Sequence, residues 1–294
     1  MLYSELLPYI ENKLVSGGIP KTDAKAEARI IASDIGEIQI GALLANPNTE
    51  IVSGRLNAIN KTINTRIFER VPLQYLVPMW EWHNIKLKLV TGVLCPRQET
   101  EILIDIIADF IKEKGIEKPS ILDLCTGSGN IAIALKKMFP ESTVAAVENS
   151  TLAIPTFKFN CNYNNVEINF VSGSVLEQST LVKFIDRHGA PMAFDIIVSN
   201  PPYLTKLEMN TLQPELKHEP DVALYGGIDG LDFYRSISAI WKENLKKDGM
   251  ILYEVGQEQA KEVRRILNKA GYKDLKTHQD MMDNDRAVSA INRE

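Results

Sequence analysis

Ile121-Leu122-Asp123-Leu124-Cys125-Thr126-Gly127-Ser128-Gly129 joins a short apolar run to a glycine turn, and helical periodicity follows over 130–138. Reading outward toward the C-terminus, strand and helix patterns alternate. Strands are predicted at 144–147, 170–171, 194–198 and 250–253, with two more near 273–279 and 286–292. Helices are predicted over 151–161, near 176–186, and over 231–246 and 257–270. The first five strands read as continuous apolar runs, as strands buried on both faces do. Alternation of this kind predicts an α/β doubly wound sheet with ligands at the carboxyl ends of its strands.

Upstream the pattern differs. Leu6, Leu7, Ile10 and Leu14 recur at helical spacing until Gly17-Gly18 and Pro20 end the element. Thr22 or Asp23 is the expected cap of a second helix with Ala24, Ala28, Ile31, Ile35 and Ile38 inward. Asn48 is the expected cap of a third, with Ile51, Val52, Leu56, Ile59 and Ile63 inward. Residues 71–94 change character again, with Ile85, Leu87 and Leu89 alternating with Lys86 and Lys88, as in a strand hairpin. The reading divides the chain into a helical domain at 1–70, a linker hairpin at 71–94 and a catalytic domain at 95–294.

The 294 residues, 45% apolar and carrying a net charge of -5, exclude a mainly disordered chain and one that coats nucleic acid by bulk charge. The first 90 residues sum to +1, so the acidity belongs to the remainder. Cys95, Cys125 and Cys161 are too far apart for a zinc knuckle and are read as reduced cytosolic thiols. No secretory signal and no bilayer-length apolar run is read. His83, His188, His218 and His278 have no metal-ligand spacing.

The glycine turn lets a ligand approach main-chain N–H groups. Glu148, at the end of the second strand, is placed to accept ribose hydroxyls. Gly127-x-Gly129-x-x-Ala132 with that acid also satisfies a dinucleotide fingerprint, so the motif reads as an adenosine-containing cofactor site and keeps an NAD-dependent oxidoreductase open. Asp123 before the glycines would repel a pyrophosphate. It suits the ammonium of a methionine moiety, or orders the loop, and favours S-adenosylmethionine.

Ser199-Asn200-Pro201-Pro202-Tyr203 follows the fourth strand. Prolines lack N–H, so this corner offers mainly acceptors in a rigid frame. The Asn200 side-chain oxygen and the Pro201 carbonyl can each take one hydrogen of a planar NH2, and Tyr203 can lie against the planar group. A planar NH2 is a poor nucleophile because its lone pair is delocalised. Two fixed acceptors return density to nitrogen and aim it, without a general base.

With these residues quoted, the sequence resembles S-adenosylmethionine-dependent methyltransferases acting on planar NH2 groups, and more closely the release-factor glutamine N5-methyltransferase family. The likeness extends to Pro72–Leu76, Pro96-Arg97-Gln98-Glu99-Thr100-Glu101, Glu215, Glu219-Pro220, Ala223-Leu224, Gly226–Leu231, and Glu254-Val255-Gly256 with Gln259. The insert at 204–230 is the most specific part. The resemblance implies a class I methyltransferase with a seven-stranded sheet and a small helical N-terminal domain that recognises a remote surface of the substrate. It implies S-adenosyl-L-methionine contacts at Cys125, Thr126, Gly127, Ser128, Gly129, Glu148, Val175 and Asn200. Catalysis and substrate binding would fall on Asn200, Pro201, Pro202 and Tyr203, which would hold the glutamine of the Gly-Gly-Gln loop of a peptide-chain release factor. Neither a stable nucleic-acid partner nor a membrane is expected, and the chain is read as a cytoplasmic monomer.

The sequence departs from the family at Gln98, where Pro is usual, at Cys125, where Gly is frequent, at Glu148, where Asp is usual, and near Ser174, where an acid is common. Two other substrates share the chemistry, a ribosomal-protein glutamine and the adenine N6 or guanine N2 of nucleic acid. The acidic balance speaks against the nucleic acid. Arg97, Glu99 and Glu101 either order the substrate mouth or serve a helix N-terminus. Trp80 and Trp82 read as hairpin packing, and Asp229 and Asp232 either brace the active-site loop or are solvated turn residues.

Overall fold

Leu6, Ile10 and Leu14, fully buried, line one side of the first helix, Tyr3–Ser16. They pack on Ala24, Ala28 and Ile31 of the next segment and on Ile59 and Ile63. Replacing Ile10 by Ala would cost roughly 2–5 kcal/mol in such a core. The computed structural model describes residues 1–185 and 192–294, so His188 and the end of the helix expected near 176–186 lie outside the described residues.

The chain forms two units, one of Met1–Trp80 with Gln213–His218 and one of Glu81–Leu212 with Glu219–Glu294. In the first, the helix Lys21–Ile30 runs into a π-turn, Ile31–Ile35, and the helices Ile40–Ala45 and Ser53–Phe68 follow. Pro20 precedes the second helix, where Thr22 or Asp23 was the expected cap. The long helix after it starts at Ser53, behind Val52, and not at Asn48. Residues 49–51 are instead held extended, because the Tyr3 amide donates to the Thr49 carbonyl and the Ile51 amide to Met1. Arg66, with a side chain only 8% exposed, lies between two carboxylates of the same unit. Its Nη2 is 3.0 Å from Glu27 Oε1 and its Nη1 3.0 Å from Glu215 Oε1. Arg70 also reaches Glu215, at 2.5 Å, so the segment 213–218 is tied by ion pairs.

The second unit holds the sheet. After a hairpin of β1 (Trp80–Trp82) and β2 (Ile85–Leu87) come β3 (Ser120–Leu124), β4 (Thr143–Glu148), β5 (Asn169–Ser172), β6 (Phe194–Ser199), β7 (Leu245–Glu254), β8 (Lys273–Gln279) and β9 (Asp285–Ile291). The seven strands are ordered β5-β4-β3-β6-β7-β9-β8. Pairs from β5 to β7 are parallel, and β9 runs antiparallel to both neighbours. The order reverses between β3 and β6, which is where a ligand crevice opens in such sheets. The helix expected over 231–246 stops at Ile240. A short turn, Lys242–Asn244, follows it, and β7 already begins at Leu245. The core includes Tyr234, Trp241, Tyr253 and Tyr272, all fully buried, and the Trp241 indole N–H donates to the Val175 carbonyl at 2.9 Å.

Candidate active site

Leu124 pairs with Val147 on one side and with Ser199 on the other. The Ser199 hydroxyl donates to the Leu124 carbonyl at 2.6 Å. The two turns singled out in the sequence therefore leave the sheet side by side, one from Cys125 and one from Asn200. Cys125 takes a left-handed conformation, φ 63°, which carries least strain in glycine. The Thr126 amide donates to the Val147 carbonyl, and the Gly129 amide to Thr126.

The two glycines do different work. Both have positive φ. A Cβ on Gly127 would meet no atom within 4 Å, so its position faces open space. A Cβ on Gly129 would stand 2.6 Å from the Phe157 ring, so that glycine lets helix Ala153–Tyr163 approach. Asn160 of the same helix donates to the Ser128 carbonyl at 2.9 Å and also bonds the backbone of Lys88.

Asp123 is fully buried, and of its two sequence readings the contact observed is the loop one: the Thr126 hydroxyl donates to Oδ2 at 2.6 Å. Burial pushes its carboxyl up to about 7, against the Thr126 hydroxyl and the Ala132 N–H. Asp123 is not on the wall of the crevice.

That crevice is a cavity of ≈ 670 Å³, within the range of small-molecule sites. Cys125, Thr126, Gly127, Ser128, Glu148, Val175, Asn200 and Pro202 all line it, whereas Gly129, Pro201 and Tyr203 do not. Glu148 accepts from the amides of Gly127, Asn149 and Ser150, each at 2.8 Å. A carboxylate has about four lone-pair sites, so Oε2 keeps one for a ligand hydroxyl. The Ser128 hydroxyl is buried without a partner. An open glycine corner, a spare carboxylate site and an unpartnered hydroxyl fit an elongated ligand bearing hydroxyls. Ser174 is on the wall too, but its hydroxyl accepts from the Leu176 amide at 3.2 Å.

Pro96, Pro220 and Ala223, from stretches quoted for the family resemblance, line the cavity as well, but much of the remaining wall was not singled out in the sequence. It includes Gly92–Leu94, Asn149–Ala153, Val222 and Phe233. No local pattern marks them, because most reach the cavity through loop placement and Ala153 and Phe233 through the first turns of their helices.

Beyond Asn200 lies a buried polar chain. Its Nδ2 donates to the Thr100 hydroxyl at 3.4 Å, and that hydroxyl donates to Glu254 Oε2 at 2.6 Å. The Tyr203 hydroxyl reaches Glu254 Oε1 at 3.5 Å, while its ring packs on the core. Burial drives Glu254 up to about 7. Burial, with Glu254 beside it, drives Tyr203 well up also. Gln259 ties the corner by donating to the Tyr203 carbonyl at 2.9 Å. Arg97 pairs with the buried Glu219 at 2.5 Å, and its carbonyl accepts from the Trp82 indole N–H. Glu99 is exposed and Glu101 half-buried in the turn Gln98–Glu101. Asp229 and Asp232 pair with Arg235 at the surface. Among the described residues there is no group of three or more His, Cys, Asp or Glu side chains able to hold a metal, and no helix long and apolar enough to cross a membrane.

The Methyltransferase small domain family matches residues 97–219, from Arg97 through both turns to Glu219. A release factor glutamine methyltransferase of Fusobacterium nucleatum is 35% identical over 279 residues, covering 94% of this chain and 75% of that one. Another, of Deinococcus radiodurans, is 31% identical and covers 99% of this chain and 98% of its own. This chain belongs to the release factor glutamine methyltransferase family. Among solved structures, a methyltransferase of Pyrococcus furiosus superposes with a TM-score of 0.50 at 17% identity, covering 82% of this chain and 98% of that one. The catalytic domain of hMettl16, in complex with MAT2A 3'UTR hairpin 1, gives 0.54 at 14% identity, covering 82% and 81%. These two likenesses bear on the fold, the seven-stranded sheet of class I methyltransferases. In this family member the sequence-singled turns at 125–129 and 200–203 flank the switch point of that sheet.

Proposed function

We propose that this chain methylates the side-chain amide nitrogen, N5, of the glutamine in the Gly-Gly-Gln motif of peptide-chain release factors, using S-adenosyl-L-methionine. The observation that carries the reading is the Leu124–Ser199 pairing, which sets the turns of Cys125 and Asn200 against one cavity. Family membership supports the release factor as substrate.

S-adenosylmethionine supplies the electrophilic methyl group and the sulfide leaving group. Cys125, Thr126, Gly127 and Ser128 would hold it along the glycine turn, Glu148 would take a ribose hydroxyl on its spare site, and Val175 and Asn200 would complete the wall. Asn200 would accept one amide hydrogen of the glutamine and the Pro201 carbonyl, next to it but off the cavity wall, the other, which returns density to the nitrogen lone pair. The N–C bond forms as the C–S bond breaks, and the surplus proton leaves the nitrogen for water. Pro202 stiffens the corner. Tyr203 holds it from the core side rather than as an exposed platform. Residues 1–70 would recognise a remote surface of the release factor, and the chain would act as a cytoplasmic monomer.

The test is transfer of labelled methyl from the cofactor to purified release factor, read by mass spectrometry. Label on wild-type release factor and none on a Gln→Ala variant of its motif is the expected result. Label on nucleic acid or on a ribosomal protein, and not on release factor, overturns it. Asn200→Ala is expected to cut turnover about a hundredfold or more while cofactor affinity stays close to wild type.

A further inference from the structure

An asparagine amide has an accepting end and a donating end, and only the oxygen suits a substrate NH2. Something must hold Asn200 the right way round. We propose that Thr100 and Glu254 are positioning residues that fix the Asn200 amide with its oxygen toward the reacting nitrogen. The inference rests on the amide-methylation reading above.

The proton inventory of the chain decides the orientation. Glu254 as a carboxylate can only accept. The Thr100 hydroxyl has one hydrogen and stands 2.6 Å from Glu254 Oε2, so that hydrogen is committed there. Toward Asn200, 3.4 Å away, the hydroxyl can then offer only a lone pair. Asn200 must answer with its NH2, and its oxygen is left for the cavity it lines. Water cannot substitute, because Thr100 is 1% exposed and Glu254 2%. The backbone supports the same grouping: Ser199 pairs with Tyr253, so Asn200 and Glu254 are the next residues of adjacent parallel strands. Without the hydroxyl either amide orientation is open, and one of them faces the substrate NH2 with a second donor.

The experiment compares kcat, KM and cofactor affinity for Thr100→Val, Thr100→Ser, Glu254→Gln and Asn200→Ala with release factor as substrate. Thr100→Val should lower kcat about a hundredfold, the cost of one preorganised polar contact, with KM and cofactor affinity within about twofold of wild type. Thr100→Ser, which keeps the hydroxyl, should restore kcat to within about threefold. Thr100→Val combined with Asn200→Ala should be no slower than Asn200→Ala alone, because one residue acts through the other. Glu254→Gln can donate to Thr100, free its hydrogen for the Asn200 oxygen and turn the amide, so it should lose kcat as Thr100→Val does. Undiminished kcat in either Thr100→Val or Glu254→Gln, failure of serine to rescue, or multiplying losses in the double variant overturns the proposal. Should Thr100→Val fail to bind cofactor, Glu254→Gln decides alone. An inactive wild type sinks the amide reading itself, which an active wild type with an indifferent Thr100→Val does not.

Discussion

Asp123→Asn should make the stability of the protein less sensitive to alkali, by an amount set by one buried carboxyl. Asp123 is fully buried under the glycine turn and holds its proton to about pH 7, where the ordinary value is 3.8. Between those values the folded state carries more bound protons than the unfolded chain. Stability therefore falls as pH rises from about 4 to about 7 and levels off above, once both states are ionised. A gap of about three pKa units at about 1.4 kcal/mol each sets a ceiling of about 4 kcal/mol on the loss. Asparagine keeps an oxygen for the Thr126 hydroxyl and carries no charge. Its extra amide hydrogens displace the whole curve by a constant, so the diagnostic quantity is the change with pH. Urea unfolding of both proteins without ligand, followed by the fluorescence of the buried Trp241, should show the variant gaining on wild type by about 2–4 kcal/mol between pH 4 and pH 8. A difference that stays constant across that window would refute the reasoning, because Asp123 would then ionise in the folded state as it does in water.

Three further outcomes follow from the geometry. Arg66→Ala leaves Glu27 buried without its cation, while Glu215 keeps Arg70, and removing one partner of such a group should cost about 3–5 kcal/mol in a thermal or urea melt; Arg66→Lys, which cannot bridge both carboxylates as a fork, should recover only part of it. Gly127→Ala projects a methyl into the open cavity at φ 55°, so calorimetry should find cofactor binding weakened at least about tenfold while folding loses only about 1 kcal/mol of backbone strain. The pH profile of kcat should rise through about pH 7 as Glu254 loses its proton, since only the carboxylate commits the Thr100 hydrogen. Glu99, Arg97, Arg286, Tyr203 and Tyr234 surround that carboxyl, and Glu254→Gln should flatten the limb if Glu254 rather than a neighbour sets it.

Elements whose side chains answer to their immediate neighbours were legible in the sequence. The helix at 130–138 and the strand at 273–279 fall where periodicity puts them, β3 and β6 differ by a residue at one end, and β4 by a residue at each end. The errors lie where a distant partner decides. Asn48 looks like a cap, but pairing between residues 1–3 and 49–51 holds that stretch extended. The helix expected to reach 246 yields to β7, whose start depends on pairing Leu245 with Phe194. The site divides in the same way. The glycine turn and Asn200 advertise themselves because glycine, proline and asparagine have special backbone and hydrogen-bonding properties. Thr100 and Glu254 stand in stretches quoted for the family resemblance, but neither residue type announces a role. They are 154 residues apart, and each is an ordinary polar residue until the fold closes around both.

The depth of that dependence is visible in the register. Leu124 and Tyr253 flank Ser199 on the two neighbouring strands, and the residue after each of the three, Cys125, Asn200 and Glu254, belongs to the site or to its support. A side-chain substitution at one of these positions removes one contribution. A shift of one residue in any of the three strands would turn its side chains to the opposite face of the sheet and separate the cofactor turn, the acceptor corner and the buried carboxyl at once. The apolar runs of β3, β6 and β7, buried on both faces, cannot by alternation alone forbid such a shift. The Ser199 hydroxyl on the Leu124 carbonyl, like the Asp195 carboxylate on the Ser120 amide and hydroxyl of the same strand pair, is a polar contact made in one register only. It therefore does for the backbone what Thr100 does for Asn200: it converts a hydrophobic arrangement with several near-equal settings into a single one.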